Sequence, residues 1–305
     1  MLFRNLSLFR FSPAVAATLG ELETALDAHR LRPCGPLELA THGFVSPLGP
    51  LQGALTRTLQ GCVLFSAGNE DKLLPAVVIN AELGRRIQAR AGELGRPVGG
   101  RERKRMKQEL IDELLPRAFA RPSQLPGYLD LAQGWVVLDT ASRKAAEAAV
   151  SGLREALGSF PALPLAAERA PRLVMTEWLT ARRLPEGLEL GDECELREAT
   201  GNAGAIARCR RQALEADEVQ EHLRAGKQVT QLGLVFDGRI AFVLGEDLVL
   251  RRLKFLDVIQ EELNQQAPDS IEAELDARFA LMALELRRVF DKLDTWFGLP
   301  RPQDA

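Results

Sequence analysis

The stretch VTQLGLVFDGRIAFVLGEDLVLRRLKF, residues 229–255, decides the fold class. With Gln228 just before it, it holds three apolar runs, 228–236, 239–244 and 248–255, each of strand length and rich in β-branched and aromatic residues. Asp237 and Gly238 separate the first two. An Asp-Gly pair between such runs favours a tight two-residue turn, because both turn positions need a positive φ. Strands joined by so short a turn run antiparallel.

On either side the chain mixes strands and helices without a repeating βαβ order. Residues 188–195 have an extended pattern, 206–211 form a basic strand, and 216–225 form a short helix closed by Gly226. Downstream, Leu275, Phe279, Met282, Leu286, Val289 and Leu293 stand at helical spacing, which predicts a long helix over 271–297. At the other end, residues 2–11 alternate as a strand, and Val15, Leu19, Leu22 and Leu26 predict a helix over 14–28. A Pro- and Gly-rich loop region, 33–50, leads to a short apolar strand at 62–66. Pro75 suits the first turn of a helix, which runs to about residue 91. Four glycines and a proline within 92–100 break it. A second helix, 101–115, places Met106, Leu110, Ile111 and Leu114 on one face. Strands at 127–131 and 134–139 precede a helix over 142–157, with Ala146, Ala149, Val150, Leu153 and Leu157 on its apolar face and Gly158 as its stop. Prolines 161, 164 and 171 mark a boundary. The expected architecture is therefore α+β: antiparallel sheets, an inserted helical hairpin and a long C-terminal helix. Residues 1–74 and 117–168 form a central domain, 75–116 a helical tip, and 169–305 a base.

The 305 residues are 46% hydrophobic, enough for a sizeable core. No apolar run approaches the ~20 residues a membrane helix needs. The opening MLFRNLSLFRFS lacks the apolar core of a secretion signal. Cys34, Cys62, Cys194 and Cys209 form no CxxC pair, so neither a zinc site nor a disulfide framework is expected. These features predict a cytoplasmic protein with idle thiols and no membrane contact.

Charge is unevenly distributed. From Arg85 to Arg121 there are eleven Arg/Lys against five Asp/Glu, a net of +6, in a chain whose formal net charge is −3. The densest part is RPVGGRERKRMK, residues 96–107, which contributes Arg96, Arg101, Arg103, Lys104 and Lys107 to the hairpin. A basic segment on an otherwise acidic chain suits a polyanion; the alternative is a solvated helix face. Basic residues recur in ARCRRQ, where Arg208 and Arg210 share one strand face and Arg211 and Gln212 follow. They recur again at Lys227 and in LVLRRLKF, where Arg252 and Lys254 share a face. Phosphate contact needs such cations but no fixed spacing, although each strand arginine, taken singly, suits a surface ion pair better than a DNA contact.

Catalytic patterns are missing. His29, His42 and His222 lie in no HExxH and pair with no cysteine at ligand spacing. There is no GxSxG elbow, and GPLQGALT at 49–56 lacks the GK[ST] of a P-loop. The expectation is a binding protein, not an enzyme, that uses no cofactor or metal. Aromatics are 6% of residues, which fits backbone contact better than base stacking.

Several motifs together resemble one family: the opening MLFRNL, PCG at 33–35, LLPRAF at 114–119, LREALGSFP at 153–161, MTEW at 175–178 and the block at 229–255. In order and spacing they are similar to the recombination-associated RdgC proteins from first strand to last helix. The resemblance implies a nucleoid-associated DNA-binding protein with little sequence preference and no enzymatic activity. It also implies a ring-shaped homodimer whose basic hole admits double-stranded DNA, with single-stranded DNA left open. Such a ring restrains RecA-mediated recombination by occupying DNA and takes part in replication-fork repair. By the same resemblance Arg117 would lie beside the hole, Phe119 would contact the second subunit, and Arg211, Gln212 and Lys227 would face the hole. A second reading makes the basic hairpin a docking site for an acidic protein partner, and a third makes the chain a nuclease.

Overall fold

A computed structural model describes residues 2–49, 53–199, 204–265 and 270–302. The chain opens with β1 (Leu6–Arg10), a 3-10 stretch over Pro13–Glu21, and α1 (Leu22–Asp27). The single helix expected over 14–28 is thus split. Then come β2 (Ala40–Val45), β3 (Thr56–Leu59) and β4 (Cys62–Lys72), followed by the helices of the hairpin, α2 (Ala76–Leu94) and α3 (Gly100–Leu114). A 3-10 turn, Leu115–Arg117, returns the chain to β5 (Ala120–Asp130), β6 (Trp135–Asp139), α4 (Arg143–Leu157) and β7 (Leu163–Pro164). The second half holds α5 (Pro171–Ala181), β8 (Leu188–Glu198), β9 (Ile206–Arg210), α6 (Asp217–Arg224), β10 (Lys227–Phe236), β11 (Ile240–Gly245), β12 (Leu250–Phe255), α7 (Asp257–Gln265) and α8 (Ile271–Phe297).

The Asp-Gly turn forms as read: Asp237 and Gly238 have φ of 49° and 62°, and β10 pairs antiparallel with β11 from Phe236↔Ile240 to Gln231↔Gly245. Among the described residues the strands make one twelve-stranded sheet in the order β2-β4-β5-β6-β1-β12-β11-β10-β8-β9, with β3 added on β4 and β7 on β1. The strand ladders are antiparallel throughout. At its middle the sheet narrows: β1 meets β12 at one registered pair, Leu6↔Leu250, reinforced by the Leu253 amide on the Arg4 carbonyl at 2.8 Å.

Several elements are longer than their sequence pattern suggests. β4 and β5 pair from Cys62↔Asp130 to Lys72↔Ala120, well beyond the apolar segments that mark them in the sequence. Residues 120–124 of β5 are exposed, and β6 covers β5 only from Gly127 to Asp130. Pro122 and Pro126 therefore sit where that side of β5 has no partner strand, a place where proline is tolerated. This arm, which β2 flanks on β4 from Ser66 to Asp71, carries α2 and α3, so the hairpin is inserted between adjacent strands. The short polar strand β3, the 40–45 segment of the loop region 33–50 (residue 50 lies outside the described residues), and α7 carry little periodic signal.

Side chains alternate between two cores. On β6, Trp135 and Val137 face one way and Val136 and Leu138 the other. The smaller core packs Phe9, Phe11, Phe65, Val136 and Leu138 against Leu22 and Leu26 of α1 and Ala146, Ala149, Val150 and Leu153 of α4. The larger joins Leu6, Leu8, Tyr128 and Trp135 to Leu232, Leu234, Phe236 and Phe242 beneath Phe279, Met282, Leu286, Phe290, Leu293 and Trp296 of α8. Among the described residues five ion pairs pin α8 across the sheet: Arg57–Asp276 from β3, Arg287–Asp130 from β5 (2.5 Å), Arg10–Asp294 from β1, and Arg239–Glu285 (2.8 Å) and Arg288–Asp237 from the β10–β11 turn. Arg10 is 3% exposed and stacks on the Trp135 ring at 3.9 Å.

Candidate nucleic-acid interface

The hairpin sorts its cations into two sets. Arg85 pairs with Glu82 (3.0 Å), Arg86 with Glu113 (2.9 Å) and Glu82 (3.2 Å), Arg90 with Glu93 (2.9 Å) and Glu102 (3.4 Å), and Arg105 with Glu109 (3.3 Å). Arg86 and Arg90 tie α2 to α3. The hydrogen bond from Arg86 holds the Glu113 carboxyl below the usual carboxylate range. These pairs matter because α2 and α3 bury little: Ile79 and Leu110 are their only buried side chains among the described residues.

The other set is free. Arg96, Arg101, Lys104, Lys107 and Arg117 are exposed and make no ion pair within 4 Å among the described residues. Arg103 donates its Nε to the Val98 carbonyl at 3.0 Å and helps shape the turn between the helices. Gly95 ends α2 with φ 62°, a left-handed cap that glycine adopts without penalty. The five positions expected in the tip, Arg96, Arg101, Arg103, Lys104 and Lys107, therefore lie on one exposed hairpin, and Arg117 lies in the 3-10 turn at its foot. Beside it, Phe119 is 83% exposed, with Leu73, Val77 and Val78 also exposed and the Leu73 amide bonded to the Phe119 carbonyl at 2.8 Å.

The base positions form a second, separate cluster. Along the sheet, β9 lies eight strands from β4, a path of roughly 40 Å at ~4.8 Å per strand. Arg208 and Arg210 share the exposed face of β9 as expected, but both are engaged: Arg208 with Glu195 at 2.8 Å and Arg210 with Glu193 at 3.8 Å. Burial opposes ionisation of Glu195, yet hydrogen bonds from Arg208 and Thr230 bring its pKa below the usual value. These two arginines are thus held by ion pairs in the edge ladder. Arg211 and Gln212 follow the strand, with Arg211 at φ 57° and the Gln212 amide on the Asp192 carbonyl at 3.3 Å. Lys227 is half-buried with its Nζ 3.2 Å from His222 Nδ1. Arg211 and Gln212 open onto a groove of about 680 Å³ that Arg252 and Lys254 also line. The alternation in LVLRRLKF had already placed that last pair on one face.

Among the described residues no group of three or more His, Cys, Asp or Glu could hold a metal ion, and no helix is long and apolar enough to cross a membrane. All four cysteines are free; burial pushes the Cys62 thiol up to about 12 and that of Cys194 higher still.

A family model described as "Putative exonuclease, RdgC" matches residues 1–299. The chain belongs to the RdgC family. It is 50% identical over 291 residues to the recombination-associated protein RdgC of Xylella fastidiosa (strain 9a5c), covering 95% of each chain. It is 46% identical over 304 residues to the protein of that name from Xanthomonas oryzae pv. oryzae (strain MAFF 311018), covering 99% of this chain and all of the relative. The family description and the relatives' names point in different chemical directions, exonuclease against recombination-associated protein.

Proposed function

We propose that the chain is a DNA-binding protein of recombination that contacts the phosphate backbone without reading sequence. What carries this reading is the sorting of charge in the hairpin: the paired arginines hold the helices, while Arg96, Arg101, Lys104, Lys107 and Arg117 face solvent uncompensated on a chain that is otherwise acidic. Backbone contact needs cations on a fixed scaffold and no base-reading helix.

The finer reading is a homodimeric ring with double-stranded DNA in its hole. It restrains RecA by occupying DNA, in the nucleoid. Two-fold symmetry makes each contact self-complementary. The exposed apolar group of Phe119, Leu73, Val77 and Val78 supports the tip as one contact, and the division into central domain, tip and base belongs to this same proposal. Phe119→Ala is expected to shift the monomer–dimer equilibrium at least tenfold toward monomer in sedimentation, since a central interface aromatic is worth about 2 kcal/mol or more. An unchanged dimer would remove Phe119 from the interface.

The deciding experiment is fluorescence anisotropy of two unrelated duplexes across a salt series. Equal affinities are expected, with log K falling by roughly 0.9 per neutralised phosphate per log unit of salt. Negligible binding at low salt would overturn the reading in favour of a hairpin that docks an acidic protein. The family's exonuclease description supports a further reading. Magnesium-dependent loss of terminal nucleotides from the same duplexes, stopped by chelator, would establish it.

A further inference from the structure

The groove beside Arg211 is built by irregularities that coincide across two strand pairings. Register slips between β8 and β10 at Leu232/Leu234 and between β11 and β12 at Ala241/Val243. Such bulges bend and twist a sheet locally and are over-represented beside functional sites. Between these slips the backbones of β8 and β10 approach closely: a Cβ on Gly191 would come within 2.9 Å of the Gly233 carbonyl carbon, and one on Gly233 within 2.9 Å of the Glu193 carbonyl oxygen. Two groove residues, Arg211 at φ 57° and Arg252 at φ 53°, have a left-handed backbone that a long L side chain rarely adopts. A strained backbone that recurs at one place suggests a site where the position of the side chain matters.

The charges are arranged in one unequal pattern. Arg211 and Lys254 make no hydrogen bond or ion pair through their side chains among the described residues. Arg252 is held by Glu193 at 3.0 Å, and Glu193 also faces Arg210 at 3.8 Å. The Glu193 side chain is 19% exposed, so it is an internal carboxylate sitting where an external anion could sit.

We propose that Arg252 and Lys254, with Arg211, form a seat for one phosphodiester of bound DNA, and that Glu193 occupies Arg252 until phosphate replaces it. The seat rests on the DNA-binding reading and adds two contacts and one internal competitor to it. A phosphate suits the seat because three cationic side chains line one groove, two of them, Arg211 and Lys254, without a side-chain partner among the described residues. The guanidinium fork of Arg252 fits a phosphate as well as it fits the carboxylate it now holds.

The test measures duplex binding by wild type, Lys254→Gln, Arg252→Gln/Lys254→Gln and Glu193→Gln across a salt series. Each lost contact is expected to lower the salt slope by about 0.9, with affinity falling alike on unrelated sequences. Glu193→Gln is expected to raise affinity severalfold, because Arg252 is released. Lys254→Gln breaks no bond in the protein, so it keeps the test valid if Arg252→Gln proves unstable. Wild-type binding with slope and affinity unchanged in Lys254→Gln and Glu193→Gln would overturn the seat and leave the DNA reading standing. No duplex binding by wild type would overturn both.

Discussion

Asp130→Ala is expected to lower stability by about 3 kcal/mol and the melting temperature by roughly 5–10 °C. Asp130 is fully buried at the end of β5. Its Oδ2 accepts from Arg287 Nε at 2.5 Å, and its Oδ1 accepts from Arg287 Nη2 at 3.0 Å and from the amides of Ala132 and Gln133 at 3.1 Å each. Removing the carboxylate strands a guanidinium and two turn amides at once. Losing one partner of a buried pair costs ~3–5 kcal/mol, because the charge that remains is uncompensated. Arg287 tempers the effect: it is 22% exposed and keeps the Gln60 carbonyl at 3.1 Å, which places the expectation at the low end. Thermal unfolding followed by circular dichroism measures it. Asp130→Ala/Arg287→Leu should recover part of the loss, since both charged groups are then gone. A melting temperature within about 1 °C of wild type for Asp130→Ala would show that α8 does not depend on this anchor.

The second large effect falls on binding. Arg101→Gln/Lys104→Gln/Lys107→Gln is expected to weaken duplex binding about a hundredfold near physiological salt. It should lower the salt slope by roughly 2.7, at 0.9 per lost phosphate contact. Folding should be unaffected, because none of the three makes an ion pair. Arg86→Gln is the counter-experiment. It cuts the links to Glu82 and Glu113, so it should loosen the hairpin, seen as faster amide exchange in α2 and α3, with a smaller change in slope. Equal binding by the triple variant and wild type would move the interface off the hairpin.

The β10–β12 meander was legible in the sequence because its turn has one chemical solution, Asp-Gly at positive φ. The faces of α4 and α8 were legible because each buries one stripe. The extent of β4 and β5 was not, because their outer halves are polar and proline-bearing and are ordered by sheet pairing, with each other and with β2, rather than by a core. The free tip cations followed from charge density alone, but their sorting did not. Which arginine meets a carboxylate depends on the packing of α2 against α3, as Arg90 on Glu102 shows. At the base the sequence left Arg208 and Arg210 open between ion pair and DNA contact, and the structure pairs both. It could not show that Arg252, far along the chain, stands beside Arg211, because a strand's neighbours depend on sheet order.

The single pair Leu6↔Leu250 at the waist of the sheet has a consequence for biosynthesis. At ~5–20 residues per second, β1 leaves the ribosome roughly 10–50 s before the strand it must meet. The larger core stays open longer still, until α8 arrives to cover it. The first strand must therefore remain soluble and unpaired on that side while nearly the whole chain is translated. A message cut short before α8 would yield a chain with its larger core exposed to water, a substrate for proteases rather than a smaller working protein.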